Sequence, residues 1–259
     1  MYKVSFVSPN FQQDPKEFNA FYLPYSVAVL WGYAHQFGEI KQNFLLGELI
    51  WKRILIEDAV NLLKDSDIVG FSTYVWNHNY NRVLARELKK ANPNIFIVGG
   101  GPEFPIEKAD IFELNPDVDL CVKLEGEIAF KSILEEYAKQ NPNYKQIPGI
   151  LINEEGKAYD TGKSSRIDNI DQIPSPYLTG IFDELMKKHP DIRWNATIET
   201  NRGCPYACTF CDWGSLTYNK VKKFNIQRVY DEIEWVGKNG LDFISFTDAN
   251  RSEEHTSEL

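Results

Sequence analysis

The N-terminal half of the chain alternates short apolar runs with segments of helix length, and this alternation constrains the fold most. Alternation of this kind is typical of a parallel sheet with helices on both faces. The sequence therefore predicts an α/β domain in this half. Strand-like runs stand at 3–8, 68–72, 95–98 and 120–122, and helix-like segments stand at 26–36, 56–63, 77–91 and 127–138.

Single residues add detail to these segments. Ser26 is a candidate N-cap for the first helix, because its hydroxyl could accept a hydrogen bond from a free backbone N–H. Val83, Leu84 and Leu88 are expected on one buried face of the helix at 77–91. Cys121 lies inside an apolar run, and we interpret it as a small buried hydrophobic residue.

Three loops follow predicted strands, at the edge of the sheet where ligands bind in folds of this kind. Glycines there would let the backbone approach a large flat ligand, and hydroxyl and amide groups could bond its rim. Each loop could equally be an ordinary turn between a strand and a helix. The candidate binding residues are Ser72, Thr73, Tyr74, Trp76 and Asn77 in the first loop, Gly99, Gly100, Gly101, Pro102 and Glu103 in the second, and Glu125, Gly126 and Glu127 in the third.

Cys204, Cys208 and Cys211 follow the spacing C-x3-C-x2-C. Three thiolates on one short loop can hold three irons of a 4Fe–4S cluster and leave the fourth iron open to a substrate or cofactor. A structural zinc site usually needs four ligands, but Cys121 lies far upstream and His189, the nearest His, belongs to no second ligand pair. Four Cys in 259 residues are also too sparse for a disulfide scaffold. An iron–sulfur cluster is therefore the favoured interpretation.

This cysteine loop, residues 203–211, resembles the signature of the radical S-adenosylmethionine (radical SAM) enzymes. Residues 194–200 are predicted to form a strand that leads into the loop. Phe210 stands just before the last Cys, where that family usually carries an aromatic residue. Gly203 and Pro205 suit a loop that must wrap closely around a cluster.

The strand-end loops ahead of the cysteine loop resemble the cobalamin-binding domain of cobalamin-dependent radical SAM enzymes. That family often reads G-G-P-E/H after one strand and G-E-G-E after the next, but here Leu124 replaces the first Gly of the second motif. The string Ile-Pro-Ser-Pro-Tyr at 173–177 stands between the two domains in this family. The chain has no D-x-H-x-x-G string, so we expect no protein His on cobalt.

The resemblance covers nearly all of residues 1–250 and implies the domain organisation. Residues 1–150 would form a Rossmann-like (flavodoxin-like) parallel-sheet domain that binds cobalamin. Residues 151–192 would form a hairpin and a proline-containing linker, and residues 193–250 the start of a radical SAM partial (βα)6 barrel. Residues 251–259 are interpreted as a non-native, adapter-derived tail. Because the family continues through several more βα units, we expect a truncated chain that is inactive by itself.

The resemblance also implies three cofactors: a 4Fe–4S cluster, S-adenosylmethionine (SAM) and cobalamin. Cys204, Cys208 and Cys211 would bind iron, and Phe210, Asp248 and Asn250 would contact SAM. A cap between a strand and a helix is an equal alternative for Asp248 and Asn250. The implied reaction methylates an unactivated carbon or phosphorus through a 5′-deoxyadenosyl radical and methylcobalamin. A cyclase or rearrangement enzyme without methyl transfer, and a cobalamin carrier or sensor, remain open.

Composition narrows the partners and the location. A net charge of −9 and a pI near 5.1 argue against broad affinity for nucleic acids or anionic membranes. No apolar stretch approaches membrane-spanning length, and Cys residues reserved for a cluster indicate a reducing compartment. We therefore expect a cytoplasmic protein. Its expected partners are an unidentified small-molecule or peptide substrate and a one-electron donor such as flavodoxin or ferredoxin.

Overall fold

The computed structural model describes residues 1–11, 19–104, 111–206, 208–211 and 220–249. The strands are β1 (Tyr2–Val7), β2 (Ala20–Tyr22), β3 (Phe44–Ile50), β4 (Ile68–Ser72), β5 (Phe96–Gly100), β6 (Leu120–Val122), β7 (Ile150–Glu154), β8 (Lys157–Asp160), β9 (Arg193–Ile198), β10 (Asn201–Arg202), β11 (Lys222–Lys223) and β12 (Phe243–Phe246). The α-helices are α1 (Tyr25–His35), α2 (Gly38–Asn43), α3 (Ile56–Leu63), α4 (His78–Ala91), α5 (Ile111–Leu114), α6 (Glu127–Tyr137), α7 (Asp183–Lys188) and α8 (Ile226–Lys238).

A seven-stranded sheet has the strand order β3-β1-β4-β5-β6-β7-β8. The first five of these strands pair in parallel, and β7 and β8 continue the sheet in antiparallel pairing. The order of the parallel strands is that of a flavodoxin-like doubly wound sheet. The predicted α/β, Rossmann-like fold is therefore confirmed.

Helices cover both faces of this sheet. On one face, α1, α2 and α6 pack on side chains such as Val4, Phe6 and Ile68. On the other face, α3 and α4 pack on Val7 and Val69 and their neighbours. Strand β4 is buried along its whole length, as expected for a parallel strand between two helical layers.

Two details of the predicted helices are wrong. Helix α1 begins one residue earlier than expected, and the Ser26 hydroxyl does not cap it but lies 3.1 Å from the Ser72 hydroxyl. Val83 is exposed, whereas Leu84 and Leu88 are buried. Val83 is adjacent in sequence to Leu84, and successive helix positions are turned about 100° from each other.

A second sheet has the order β12-β9-β2, and its strands are parallel. Strand β9, helix α8 and strand β12 form a β-α-β unit, which is the element expected at the start of a (βα) barrel. The third strand, β2, belongs to the N-terminal part of the chain and pairs Phe21 with Trp194. This pairing of an N-terminal strand with the second sheet was not among the predictions.

The proline-containing connector is anchored in the core beside the second sheet. Tyr177 is fully buried, and its hydroxyl accepts from Thr197 N at 2.9 Å and donates to Thr197 O at 2.5 Å. The hairpin β7–β8 turns through Glu155 and Gly156, both with positive φ, and it extends the first sheet. The predicted domain boundary at residue 150 had instead placed this hairpin with the connector, outside the first domain. No helix in the described residues is long and apolar enough to cross a membrane.

Replacing Tyr177 with Phe should lower the free energy of unfolding by about 1–3 kcal/mol, because it leaves buried backbone groups of Thr197 without a partner. Urea denaturation of the two proteins measures the difference. Tyr159→Phe is the matched control, since Tyr159 is exposed on β8, and it should change little. Equal stability of Tyr177→Phe and the parent chain would contradict this role.

Candidate cofactor cavity between the two sheets

A cavity of about 1180 Å³ lies at the carboxyl ends of the strands of both sheets. Its size is at or above the upper end of the range for small-molecule sites. We call it the cofactor cavity. Predicted loop residues that line it are Ser72, Tyr74, Trp76, Gly99, Gly100, Gly101, Pro102, Glu125, Gly126 and Glu127. The cysteine loop lines it with Gly203, Phe210 and Cys211.

Three predicted binding residues stand behind the lining. Thr73 is fully buried, and its backbone N donates to Gly100 O at 2.7 Å. The Asn77 amide accepts from Tyr74 N at 2.8 Å and donates to Ser72 O at 3.0 Å. Glu103 lies 3.7 Å from the imidazole of His78. Thr73 and Asn77 thus fix the shape of the first loop, and direct binding by these three residues stays a prediction.

The glycine-rich loop after β5 offers bare backbone to the cofactor cavity. Gly101 has a φ of +107°, and a Cβ there would lie 2.3 Å from Thr73 O. Gly100 faces open space, because a Cβ added to it would have Val122 O, 4.0 Å away, as its nearest neighbour. Leu124 has a φ of +56°, so the residue that replaces the family's Gly keeps a left-handed backbone.

Aromatic rings form one side of the cavity. The rings of Tyr74 and Trp76 stack with centroids 4.5 Å apart and planes 7° apart. Phe11 packs edge-on against Trp76 at 5.4 Å. Burial raises the pKa of Tyr74, which keeps its hydroxyl protonated. These rings provide a rigid apolar surface beside the glycines, and this suits a large flat ligand.

Buried ion pairs join the loop after β6 to the cysteine loop. Arg202 Nη1 lies 2.7 Å from Glu127 Oε1, and its Nε lies 2.9 Å from Glu199 Oε2. Only 12% of the Arg202 side chain is exposed. Arg166 Nε donates to Glu125 Oε1 at 2.8 Å, and its Nη2 donates to Arg202 O at 3.1 Å. The sequence assigned both glutamates to cobalamin, but in the structure both of them bind arginines.

Glu125 lines the cavity and has one carboxylate oxygen without a hydrogen-bond partner among the described residues. This oxygen, Oε2, is buried. A buried acceptor without a partner is costly, so a ligand amide would improve this site. Cobalamin carries such amides around its ring. The open Gly100 position and this acceptor show that the cavity fits cobalamin.

Glu199 was not among the predicted site residues, yet it lines the cavity. Burial raises its pKa from about 4.5 to about 7, although Arg202 acts in the opposite direction. Two neighbouring carboxylates, Glu127 and Asp248, raise the pKa further. Glu199 stands three residues before Arg202 in the sequence. This spacing of opposite charges was the one sequence feature that could have indicated their ion pair.

Asp248 joins the ends of β9 and β12. Its Oδ1 accepts from Thr200 N at 2.6 Å and from Asn201 N at 3.0 Å, and its Oδ2 accepts from the Thr200 hydroxyl at 2.7 Å. Asp248 is not part of the cavity lining. These bonds go to the turn after β9 and not to a following helix, so SAM contact by Asp248 and the cap alternative both stay predictions. Asn250 lies outside the described residues.

The three cysteines of the loop are free thiols, and Cys208 is exposed. Phe210 between them is 91% exposed. In the ranges that the structure describes, no three His, Cys, Asp or Glu side chains are gathered closely enough to hold a metal ion. The donors nevertheless fit an iron–sulfur cluster in kind, and such ligands commonly assemble only around the metal. Cys121 is buried in β6, as predicted, and burial raises the pKa of its thiol.

Comparison with known proteins agrees with this geometry. The family described as B12 binding domain matches residues 49–134. The cobalamin-dependent radical SAM methyltransferase TokK of Streptomyces tokunonensis is 33% identical over 231 residues, which cover 88% of this chain and 34% of the relative. The 2-(S-pantetheinyl)-carbapenam-3-carboxylate methyltransferase of Streptantibioticus cattleyicolor is also 33% identical, with the same coverage of each chain.

The chain carries a B12 binding domain and is homologous to cobalamin-dependent radical SAM methyltransferases. It spans about a third of the length of these curated relatives. The solved structure of the cobalamin-dependent radical SAM enzyme OxsB has the same fold, with a TM-score of 0.71 at 20% identity over 96% of this chain and 34% of that one. The resemblance inferred from the sequence is confirmed.

Replacing Gly101 with Ala should lower the free energy of unfolding by about 2 kcal/mol or more, since a side chain there meets both backbone strain and a clash with Thr73. Gly156→Ala separates the two effects, because Gly156 also has positive φ (+87°) but open space around its Cβ position. The Gly156→Ala variant should lose about 1 kcal/mol of unfolding free energy from strain alone. Chemical denaturation measures both variants, and equal losses of unfolding free energy would contradict the close approach of Gly101 to Thr73.

Proposed function

We propose that this chain forms the cobalamin-binding and cluster-bearing part of a radical SAM enzyme that methylates an unactivated carbon or phosphorus centre. One observation carries the proposal. A single cavity is lined on one side by loops of the B12 binding domain and on the other by the cysteine loop. Cofactors bound to the two sides would therefore share one space.

The residues divide by role. Cys204, Cys208 and Cys211 would bind the iron–sulfur cluster, and Gly100 with Glu125 would approach cobalamin through bare backbone and a free carboxylate oxygen. When bound, the cofactors supply the radical and the methyl group. The rings of Tyr74 and Trp76 would shield one side of the bound cofactors from water. The ion pairs of Arg202 connect the two sides of the cavity.

The proposal extends to partners that the structure does not contain. Cys208 is exposed, so the cluster would lie near the surface and within reach of a one-electron donor such as flavodoxin or ferredoxin. Such donors are found in the reducing cytoplasm, where unpaired cluster thiols survive. The substrate would be a small molecule or peptide that enters the cofactor cavity.

Anaerobic reconstitution tests the cofactor assignments. The chain should bind one cobalamin per molecule, as measured by absorption. It should also take up one 4Fe–4S cluster, as measured by iron and sulfide analysis. Cys208→Ser should abolish the cluster and leave cobalamin binding intact, because the two cofactors are held from opposite sides of the cavity. Cys121→Ala removes a buried thiol and should retain both cofactors. Cobalamin binding without any cluster in the parent chain would favour a carrier or sensor.

Mass analysis of turnover by the full-length protein tests the reaction. Methyl transfer should produce S-adenosylhomocysteine alongside 5′-deoxyadenosine, because SAM then serves both as methyl donor and as radical source. A cyclase or rearrangement enzyme should produce 5′-deoxyadenosine alone. The latter outcome would overturn the methylation proposal but keep the cofactor assignments.

A further inference from the structure

We propose that Glu199, together with the hydroxyl of Tyr25, binds the positively charged sulfonium end of SAM. This inference rests on the proposed function and deepens it, because it identifies residues for a ligand that the cysteine loop alone would not orient. Glu199 stands at the end of β9, just before the cysteine loop, and Tyr25 begins α1. Both line the cofactor cavity.

The first argument is the charge balance around Arg202. One guanidinium serves two carboxylates, those of Glu127 and Glu199. The exposed fractions of these side chains are 5% for Glu127 and 18% for Glu199. The neighbouring Glu125 is paired with its own arginine, Arg166. The group around Arg202 therefore holds either an unmatched negative charge, which is costly in a buried place, or a proton.

The surroundings of Glu199 leave that charge for a ligand to match. Besides Arg202, the described titratable groups that interact with it are Glu127, Asp248, Tyr25 and Tyr74. These four side chains carry negative or no charge. Arg228, a cation that interacts with Tyr25, is already paired with Glu232 at 3.0 Å. The pKa of Glu199, raised by burial to about 7, is consistent with a proton held in the absence of such a partner.

The second argument is the unused hydroxyl of Tyr25. Its oxygen is buried and has no hydrogen-bond partner among the described residues. The ring is fixed by stacking on Tyr177 at 6.0 Å, and burial followed by the charge of Glu199 raises the pKa of the hydroxyl. It is thus a neutral donor beside a carboxylate. SAM presents a sulfonium cation for Glu199 and ribose or carboxylate oxygens that can accept from Tyr25.

Neither the neighbouring carboxylate of Asp248 nor cobalamin accounts for this charge as well as SAM does. Asp248 was the carboxylate predicted from the sequence, but Thr200 and Asn201 already occupy its oxygens. Cobalamin presents mainly neutral amides at its rim, and these gain little from an unmatched negative charge. A bound cation would therefore stabilise the Glu199 carboxylate more than that of Asp248.

Calorimetric binding of SAM and of S-adenosylhomocysteine tests the inference, because the two nucleosides differ in the sulfonium charge. The chain is used with its cluster and cobalamin reconstituted. Glu199→Gln should weaken SAM binding about tenfold and leave S-adenosylhomocysteine nearly unchanged, since a charge-assisted contact is lost for SAM alone. Tyr25→Phe should weaken the binding of both nucleosides by a similar factor. Glu135→Gln, on α6 beside Lys131, is the control and should alter neither.

The parent chain gives a second readout that needs no variant. Only ionised Glu199 attracts the cation, so the preference for SAM over S-adenosylhomocysteine should increase from about pH 6 to about pH 8. SAM binding near pH 7 should release more protons from the parent chain than from Glu199→Gln, and calorimetry in buffers of different ionisation enthalpy measures this difference.

The outcomes separate this inference from the proposed function. An unchanged preference in Glu199→Gln, or equal proton release from Glu199→Gln and the parent chain, overturns the inference while cobalamin and the cluster bind normally. A parent chain that carries a complete cluster but binds neither nucleoside also overturns it. Failure to bind cobalamin and the cluster at all would instead overturn the proposed function.

Discussion

The buried guanidinium of Arg202 is the contact on which the cofactor cavity depends. It stands immediately before Gly203 and Cys204, and it binds Glu127 at the start of α6. Removing Arg202 would leave the carboxylates of Glu127 and Glu199 buried without their cation, which costs far more than an exposed pair contributes. The position of the cysteine loop relative to the B12 binding domain is therefore set by electrostatics inside the cavity. Arg166 forms a second connection of this kind, because it donates both to Glu125 and to the backbone carbonyl of Arg202.

A backbone connection complements these side chains. Strand β2 leaves the first domain and pairs with β9, and Leu23 N donates to Asn195 O at 2.9 Å just beyond the pairing. Phe21 of β2 packs its ring against Trp51 at 4.9 Å. Residues 8–11 before β2 and residues 22–27 at its end also line the cavity. The segment around β2 therefore contributes both to the second sheet and to the binding surface. The two domains predicted from the sequence thus share hydrogen bonds, a hydrophobic core and a cavity.

The sequence predicted those features whose cause is local. Buried strands such as β4 and amphipathic helices carry their own periodicity, and the glycine and cysteine motifs are contiguous. Strand β3 was missed because Gly47 and Glu48 interrupt its apolar pattern and most of its residues are only half-buried. Strand β2 was missed because three residues carry no usable period.

The charged partners in the site could not be foreseen, because they depend on tertiary contacts. Glu127 and Arg202 are far apart in sequence, and nothing near either residue specifies the other. The loop containing Glu125 and Glu127 was correctly placed at the cavity, but its main contacts are arginines. Tyr25 was not among the residues predicted for the site. Its unpaired hydroxyl becomes meaningful once α1 is packed against Tyr177.

The departure of the chain from the family motif at Leu124 changes the cavity surface and not the course of the backbone. Leu124 adopts the left-handed conformation that a Gly would accept freely, at a cost of about 1–2 kcal/mol for a residue with a Cβ. The surrounding loop must supply that energy, and the ion pairs of Glu125 and Glu127 next to it hold the loop on both sides of Gly126. With 47% of its side chain exposed, Leu124 presents an apolar surface to the cavity where the family offers bare backbone. A ligand at this point must therefore make van der Waals contact with the side chain, while close backbone approach is kept at Gly100.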